Sequence, residues 1–161
     1  MNHNNLTTTQ TGIIGNWIYP TVVIVEDQSS TRTLFRTIIQ AISTNLNILD
    51  FESGEQALDL LGSPPLIVPR LLIVDYQIPN GLNGLEFINK YFSFLAKKSD
   101  NDDSLELPVA ILITAYSDKL PVQMTTSLVD YLLLKPVRPR ELQNKCRQVL
   151  TGERGSRHHG W

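Results

Sequence analysis

Four short apolar runs, each ending in a polar residue, constrain this chain more than any other feature. Val22-Val23-Ile24-Val25 runs into Glu26-Asp27, and Leu71-Leu72-Ile73-Val74 into Asp75. Val109-Ala110-Ile111-Leu112-Ile113 runs into Thr114, and Leu132-Leu133-Leu134 into Lys135-Pro136. The runs are continuously apolar rather than alternating. That is the pattern of strands buried on both faces of a parallel sheet. A fifth run, Leu46 to Phe51, alternates more and suits an edge strand.

Helical stripes lie between the runs. Leu34, Ile38 and Ile42, with Phe35 and Ile39 beside them, recur at helical spacing, and Ser29 or Ser30 is placed to cap that helix. Gly54 to Leu61 reads as a short helix stopped by Gly62-Ser63-Pro64-Pro65. Leu85, Ile88, Phe92 and Leu95 form a third stripe. Leu142, Cys146 and Val149 form the last, with Pro139 in its first turn. Lys97 to Asp103 reads as a charged surface loop. Ser117 to Leu128 contains Pro121 and Thr125-Thr126-Ser127, so the fourth helix should be short, late-starting or mobile.

Five strands alternating with five helices give an α/β fold with a doubly wound parallel sheet, and right-handed crossovers put helices on both faces. Ligand sites in such sheets lie at the carboxyl ends of the strands, where strand order reverses. The polar run-ends are at those positions.

A length of 161 residues fits one domain. Such a chain buries roughly 70% of its unfolded surface and needs no disulfide to fold. The single cysteine, Cys146, suits a reducing compartment. No apolar stretch approaches the roughly 20 residues of a bilayer span, and no basic-then-apolar leader opens the chain. A cytoplasmic protein with no membrane association is expected. Residues 1–19, rich in Asn, Thr and Gln, read as a flexible arm. Residues 20–150 read as the folded domain and 151–161 as a disordered tail.

The net charge of -2 argues against general nucleic-acid binding. From Lys135 onward the chain is basic, with Arg138, Arg140, Lys145, Arg147, Arg154 and Arg157 against only Glu141 and Glu153. A solvated helix face accounts for this; a docking surface for an acidic partner is the sharper reading.

Glu26, Asp27 and Asp75 would gather two or three negative charges. Two carboxylates about 4 Å apart repel by roughly 4 kcal/mol at an effective dielectric near 20. Something positive should fill the gap. An all-oxygen set with few protein carboxylates suits Mg²⁺, and Mn²⁺ also fits. One carboxylate can attack a phosphoryl donor to give an aspartyl phosphate. Lys135 and Thr114 can stabilise phosphoryl oxygens. Singly these signals are weak, since an Asp ending a strand is often a turn residue. The case rests on all four run-ends, in order, with helix-length gaps.

These residues resemble the receiver domain of two-component response regulators over about Tyr19 to Leu150. The motifs are Glu26-Asp27, then Asp75-Tyr76-Gln77-Ile78-Pro79 with Asn83-Gly84-Leu85-Glu86, Thr114-Ala115-Tyr116-Ser117-Asp118, and Lys135-Pro136-Val137. Ser53-Gly54-Glu55-Gln56-Ala57-Leu58 matches the usual entry to the second helix. The resemblance implies a flavodoxin-like sheet of order 2-1-3-4-5 flanked by five helices. It implies that Asp75 is the phosphoacceptor, and that Asp27, Asp75 and the Gln77 backbone carbonyl bind Mg²⁺, with Glu26 acting through water. Lys135 and Thr114 would contact the phosphoryl group, and the Lys135-Pro136 bond would be cis. The implied donor is a histidine kinase or a histidine phosphotransfer protein. The implied output is a downstream protein, or a homodimer, engaged through the fourth helix, fifth strand and fifth helix.

Some positions depart from the family pattern. Glu26 stands where Asp is commoner, and the loop Pro79 to Gly84 is one residue longer than usual. The family's switch aromatic lies three residues before the lysine. Here that residue is Leu132, with Tyr131 one earlier. Either a local bulge restores Tyr131 or the usual threonine–aromatic coupling is absent. Gln77 and Tyr116 occupy positions that tune phosphate lifetime in the family, and Tyr116 is expected to shield the acyl phosphate.

The expected function is a phosphorylatable signalling module, not an enzyme in the ordinary sense, without a DNA-binding domain. It could equally be the receiver of a hybrid histidine kinase or of a larger response regulator. A Mg²⁺-dependent phosphatase with an aspartyl nucleophile is the competing class. Such enzymes often carry a carboxylate two residues after the nucleophile, where this chain has Gln77. A flavin carrier is weaker still, because Glu26-Asp27 would repel its phosphate. A receiver that is never phosphorylated is disfavoured by the intact Asp27, Asp75, Thr114 and Lys135.

Overall fold

The structure, a computed structural model, describes residues 19–99 and 105–152. The expectations for the arm up to residue 18, for the tail from residue 153 and for most of the charged loop lie outside the described residues. Strand and helix alternate as β1 (Thr21–Val25), α1 (Ser29–Gln40), β2 (Asn47–Phe51), α2 (Gly54–Leu61), β3 (Leu71–Asp75), α3 (Gly84–Ser99), β4 (Val109–Thr114), α4 (Val122–Leu128), β5 (Tyr131–Leu134) and α5 (Pro139–Leu150). The five strands form one parallel sheet in the order β2-β1-β3-β4-β5. This is the expected doubly wound, flavodoxin-like arrangement.

Alternate residues of each central strand serve opposite cores. Val23, Val25, Leu72, Val74, Ala110 and Leu112 pack with α2 and α3 residues such as Ala57, Leu61, Leu85, Phe87 and Ile88. Val22, Ile24, Leu71, Ile73, Ile111 and Ile113 pack with Phe35, Ile38 and Ile39 of α1 and Leu142, Cys146 and Val149 of α5. Both faces being covered explains why the runs do not alternate. Each such side chain contributes roughly 1.5–3 kcal/mol when fully buried. These cores hold the strand ends in place. Tyr91, fully buried, satisfies its hydroxyl by donating to the Ile67 carbonyl at 2.7 Å.

Local sequence fixes the helix starts. The Ser53 hydroxyl accepts from the Gln56 amide at the head of α2. Asn83 Oδ1 accepts from the Leu85 and Glu86 amides, and Glu86 Oε2 accepts from the Asn83 amide. That reciprocal capping box starts α3 immediately after the Asp75 loop. Gly84 permits it, since a Cβ there would lie 2.2 Å from the Asp75 carbonyl oxygen.

Two local expectations are corrected. Neither Ser29 nor Ser30 caps α1; Gln28 takes the N-cap position without a side-chain bond. The chain turns one residue earlier because the Gln28 amide donates to Glu26 Oε1 at 3.0 Å. Lys97 to Ser99 are helical and extend α3 rather than opening a loop. Alternatively, α4 is short as expected. It spans seven residues after a 3₁₀ turn at Ser117–Lys119. The hydroxyls of Thr125, Thr126 and Ser127 all donate back to preceding carbonyls, the competition that makes such residues poor helix formers. Among the described residues no helix is long and apolar enough to cross a membrane.

Candidate functional site

Strand order reverses between β1 and β3. β1 pairs with β2 on one side and with β3 on the other. Val25 is in register with Val74, so Glu26 and Asp75 leave the sheet side by side. β4 and β5 add Thr114 and Lys135, and the Lys135 amide donates to the Thr114 carbonyl at 2.8 Å. Single carboxylate oxygens of Glu26, Asp27 and Asp75 lie within 4.8 Å of one another. The sheet therefore brings together all the carboxylates named from sequence.

Lys135 Nζ reaches into this cluster, 2.7 Å from Asp75 Oδ2 and 3.4 Å from Glu26 Oε2. Burial works against its ammonium, but the hydrogen bonds and charges of Asp75 and Glu26 outweigh that and raise its pKa. Glu26 is fully buried, and desolvation pushes its carboxyl up to about 7. The Gln28 amide opposes the rise; the Asp75 charge and a hydrogen bond with Asp27 add to it; the Lys135 charge opposes it. Both Glu26 oxygens are engaged, one by Gln28 and one by Lys135. Asp27 is half-buried and opens toward solvent. Asp75 is buried, and its Oδ1 accepts from the Gln77 amide at 3.2 Å. Gln77 itself is exposed.

Thr114 is fully buried, and its hydroxyl is bonded within its own loop. It accepts from the Tyr116 amide at 3.1 Å and lies 3.4 Å from the Tyr116 carbonyl. The Tyr116 ring is exposed, with Lys119 Nζ 4.4 Å from its centroid. The Lys135-Pro136 bond is cis.

β5 carries no bulge. Tyr131 pairs with Ile111 and Leu132 with Leu112 in unbroken register. Leu132 therefore packs toward the α2, α3 side of the sheet and Tyr131 toward the α1, α5 side. Lys145 Nζ sits 4.7 Å from the Tyr131 ring centroid. No bulge moves Tyr131, and Leu132 keeps the position three residues before Lys135.

With every carboxylate ionised, three negative charges face one ammonium. The donor set is all oxygen, without Cys or His, which fits Mg²⁺ or Mn²⁺ and not a zinc site. A cluster that joins a buried carboxylate, a charge-paired lysine and an all-oxygen donor set carries the groups that phosphoryl transfer uses.

Sequence reasoning missed Arg32, Arg36 and Asp50. Arg32 Nη1 donates to the backbone carbonyls of Glu26 and Asp27. Both arginines pair with Asp50 on β2. The signal was there: two arginines four apart on α1, and a lone acid inside the edge run Leu46 to Phe51.

The sequence model of the response regulator receiver domain matches residues 22–147. The chain belongs to that family. Receivers are signalling modules of two-component systems, and the fold and strand order found here are theirs. A cyclic di-GMP phosphodiesterase response regulator of Xanthomonas campestris is 35% identical over 132 residues. The match covers 80% of this chain and 31% of that protein. A rice two-component response regulator is 29% identical over 134 residues, covering 81% of this chain and 89% of the rice protein. A sensor histidine kinase of Ectopseudomonas mendocina is 27% identical, but the match spans 12% of its length. Among solved structures, a CheY-like receiver domain protein from Methanospirillum hungatei superposes with a TM-score of 0.66 at 17% identity, covering 84% of this receiver and 96% of that chain.

Proposed function

We propose that this receiver is phosphorylated on Asp75 in a Mg²⁺-dependent reaction and signals through protein contacts. The observation that carries the reading is the Asp75 carboxylate, buried at the strand-order reversal between Asp27 and Lys135.

In this reading a carboxylate oxygen of Asp75 attacks phosphorus on a phosphohistidine of a kinase or phosphotransfer protein. The P–N bond breaks and the imidazole leaves with a proton. Lys135 neutralises one phosphoryl oxygen, and the Thr114 hydroxyl turns from Tyr116 to donate to another. Asp27, Asp75 and the Gln77 carbonyl would hold the cation directly, and Glu26 would act through water. When bound, Mg²⁺ supplies charge neutralisation on the transferring group. Water later hydrolyses the acyl phosphate and restores the carboxylate.

The test is beryllofluoride, a mimic of the acyl phosphate, added with Mg²⁺ and followed by amide NMR. Resonances of Asp75, Thr114 and Lys135 should shift together. Asp27→Asn should weaken the response and Asp75→Asn should abolish it. No shift in the wild type would end this reading.

The chain spans 31% of the Xanthomonas relative and nearly all of the rice one. Matches of both kinds support the same module, acting alone or as one domain of a larger regulator or hybrid kinase. No output activity is assigned to this domain.

A further inference from the structure

The β1–α1 turn that carries Glu26 and Asp27 is held from beneath by one side chain. Arg32 lies about one turn into α1. Its Nη1 donates to the Glu26 carbonyl at 2.6 Å and the Asp27 carbonyl at 2.9 Å. Its Nε lies 3.6 Å from Asp50 Oδ1 on β2. Arg36 closes the set, with Nε 3.0 Å from Asp50 Oδ2, a second contact from Nη2 to the same oxygen, and a bond from Nη2 to the Ile48 carbonyl. The turn is tied to β2 a second time, since the Glu26 amide donates to the Phe51 carbonyl. Arg32 and Asp50 are mostly buried, with side chains 17% and 27% exposed.

We propose that Arg32 is a positioning residue for the cation site: it fixes the two backbone carbonyls of the acidic turn, and Asp50 holds the guanidinium on the carbonyl side, away from the carboxylates. This rests on the Mg²⁺ reading above. A planar guanidinium can serve two carbonyls and a carboxylate at once; a lysine ammonium on a flexible stem cannot hold that fork. The Coulomb effect runs the other way. A cation this close to a cation site repels Mg²⁺, so its presence is not explained by charge attraction to the metal. Asp50 offsets that cost locally. It also keeps the guanidinium from swinging onto Asp27, where it would compete with the metal.

The sign of the effect separates the two roles. If Arg32 positions the turn, Arg32→Gln should weaken Mg²⁺ binding by about tenfold or more, the range for groups that orient metal ligands. If Arg32 acts only as a charge, the same change should tighten binding. Arg32→Lys should recover part of the loss, and Asp50→Asn should show a loss of its own. Calorimetric Mg²⁺ titration of the full chain reads this directly. Val149→Ala, on the buried face of α5, serves as a control that lowers thermal stability without moving Mg²⁺ affinity. Amide exchange of the metal-free protein gives a second reading. Gln28, whose amide donates to Glu26 Oε1, should exchange faster in Arg32→Gln while Gly62, at the far end of α2, does not. Unchanged or tighter Mg²⁺ binding in Arg32→Gln overturns the proposal. Should the wild type take no Mg²⁺, the metal reading fails by itself and the exchange data decide. Faster Gln28 exchange then still upholds the clamp, and unchanged protection removes it.

Discussion

Lys135 Nζ lies 2.7 Å from Asp75 Oδ2, joining the last strand of the sheet to its centre across 60 residues of sequence. The same ammonium touches Glu26, so it is the positive charge that offsets two buried carboxylates. Lys135→Ala should therefore destabilise the metal-free protein. Breaking a fully buried pair costs about 3–5 kcal/mol; with the lysine partly exposed, about 1–3 kcal/mol is expected. Mg²⁺ should restore more stability to this variant than to the wild type, because it replaces the missing charge. Thermal melts with and without Mg²⁺ check both statements.

The loop after Asp75 has no room for a methyl group at Gly84. A Cβ there would meet the Asp75 carbonyl oxygen at 2.2 Å and Val74 Cγ1 at 2.8 Å. Gly84→Ala must push α3 off the strand end. A loss of about 3 kcal/mol is expected, at the upper end for overpacking. Urea unfolding measures it, and the Mg²⁺ affinity of the variant should fall with it.

Cys146 is fully buried on the inner face of α5, and burial pushes its thiol up to about 12. The native protein should resist alkylation by iodoacetamide at pH 8, with modification only as the chain unfolds. The raised value also sets a pH dependence. The thiol is neutral in both states below about 9, so its contribution is fully present there. Above that the unfolded chain ionises first, and stability falls as pH rises toward 12. The stability gap between wild type and Cys146→Ala should narrow over that window. An unchanged gap would contradict the burial argument.

Tyr131 and Tyr116 should report differently on activation. Tyr131 packs on the α1, α5 side under Lys145, away from the Thr114 loop. The Tyr116 backbone holds the Thr114 hydroxyl. With fluorotyrosine labels, beryllofluoride should shift the Tyr116 signal and leave Tyr131 nearly still. Tyr116→Ala should also shorten the acyl phosphate half-life if the ring shields it. A large Tyr131 shift would mean that β5 rearranges after all.

The sheet and the cluster were legible because they depend on long continuous patterns. Four apolar runs ending in Glu26-Asp27, Asp75, Thr114 and Lys135 fix strand ends whatever the loops do. The start of α1 was not legible. Ser29 and Ser30 are good caps in isolation, yet the buried Glu26 carboxylate draws the Gln28 amide back and begins the helix earlier. That contact depends on burial, which no local pattern encodes. The side of the sheet taken by Tyr131 turned on a single residue of register, which only strand pairing decides. Arg32 escaped notice because its partners are backbone carbonyls, and a helix-surface arginine has an ordinary solvated explanation. Asp50 needed the β1–β2 pairing before it had a neighbour.

The central claim is that Asp75 accepts phosphate with the help of a divalent cation. Intact-protein mass measurement after incubation with acetyl phosphate tests it most directly. One phosphoryl group per chain should appear with Mg²⁺, vanish when the metal is chelated, and be absent from Asp75→Asn. An unlabelled wild type, or labelling that survives Asp75→Asn, would contradict the account.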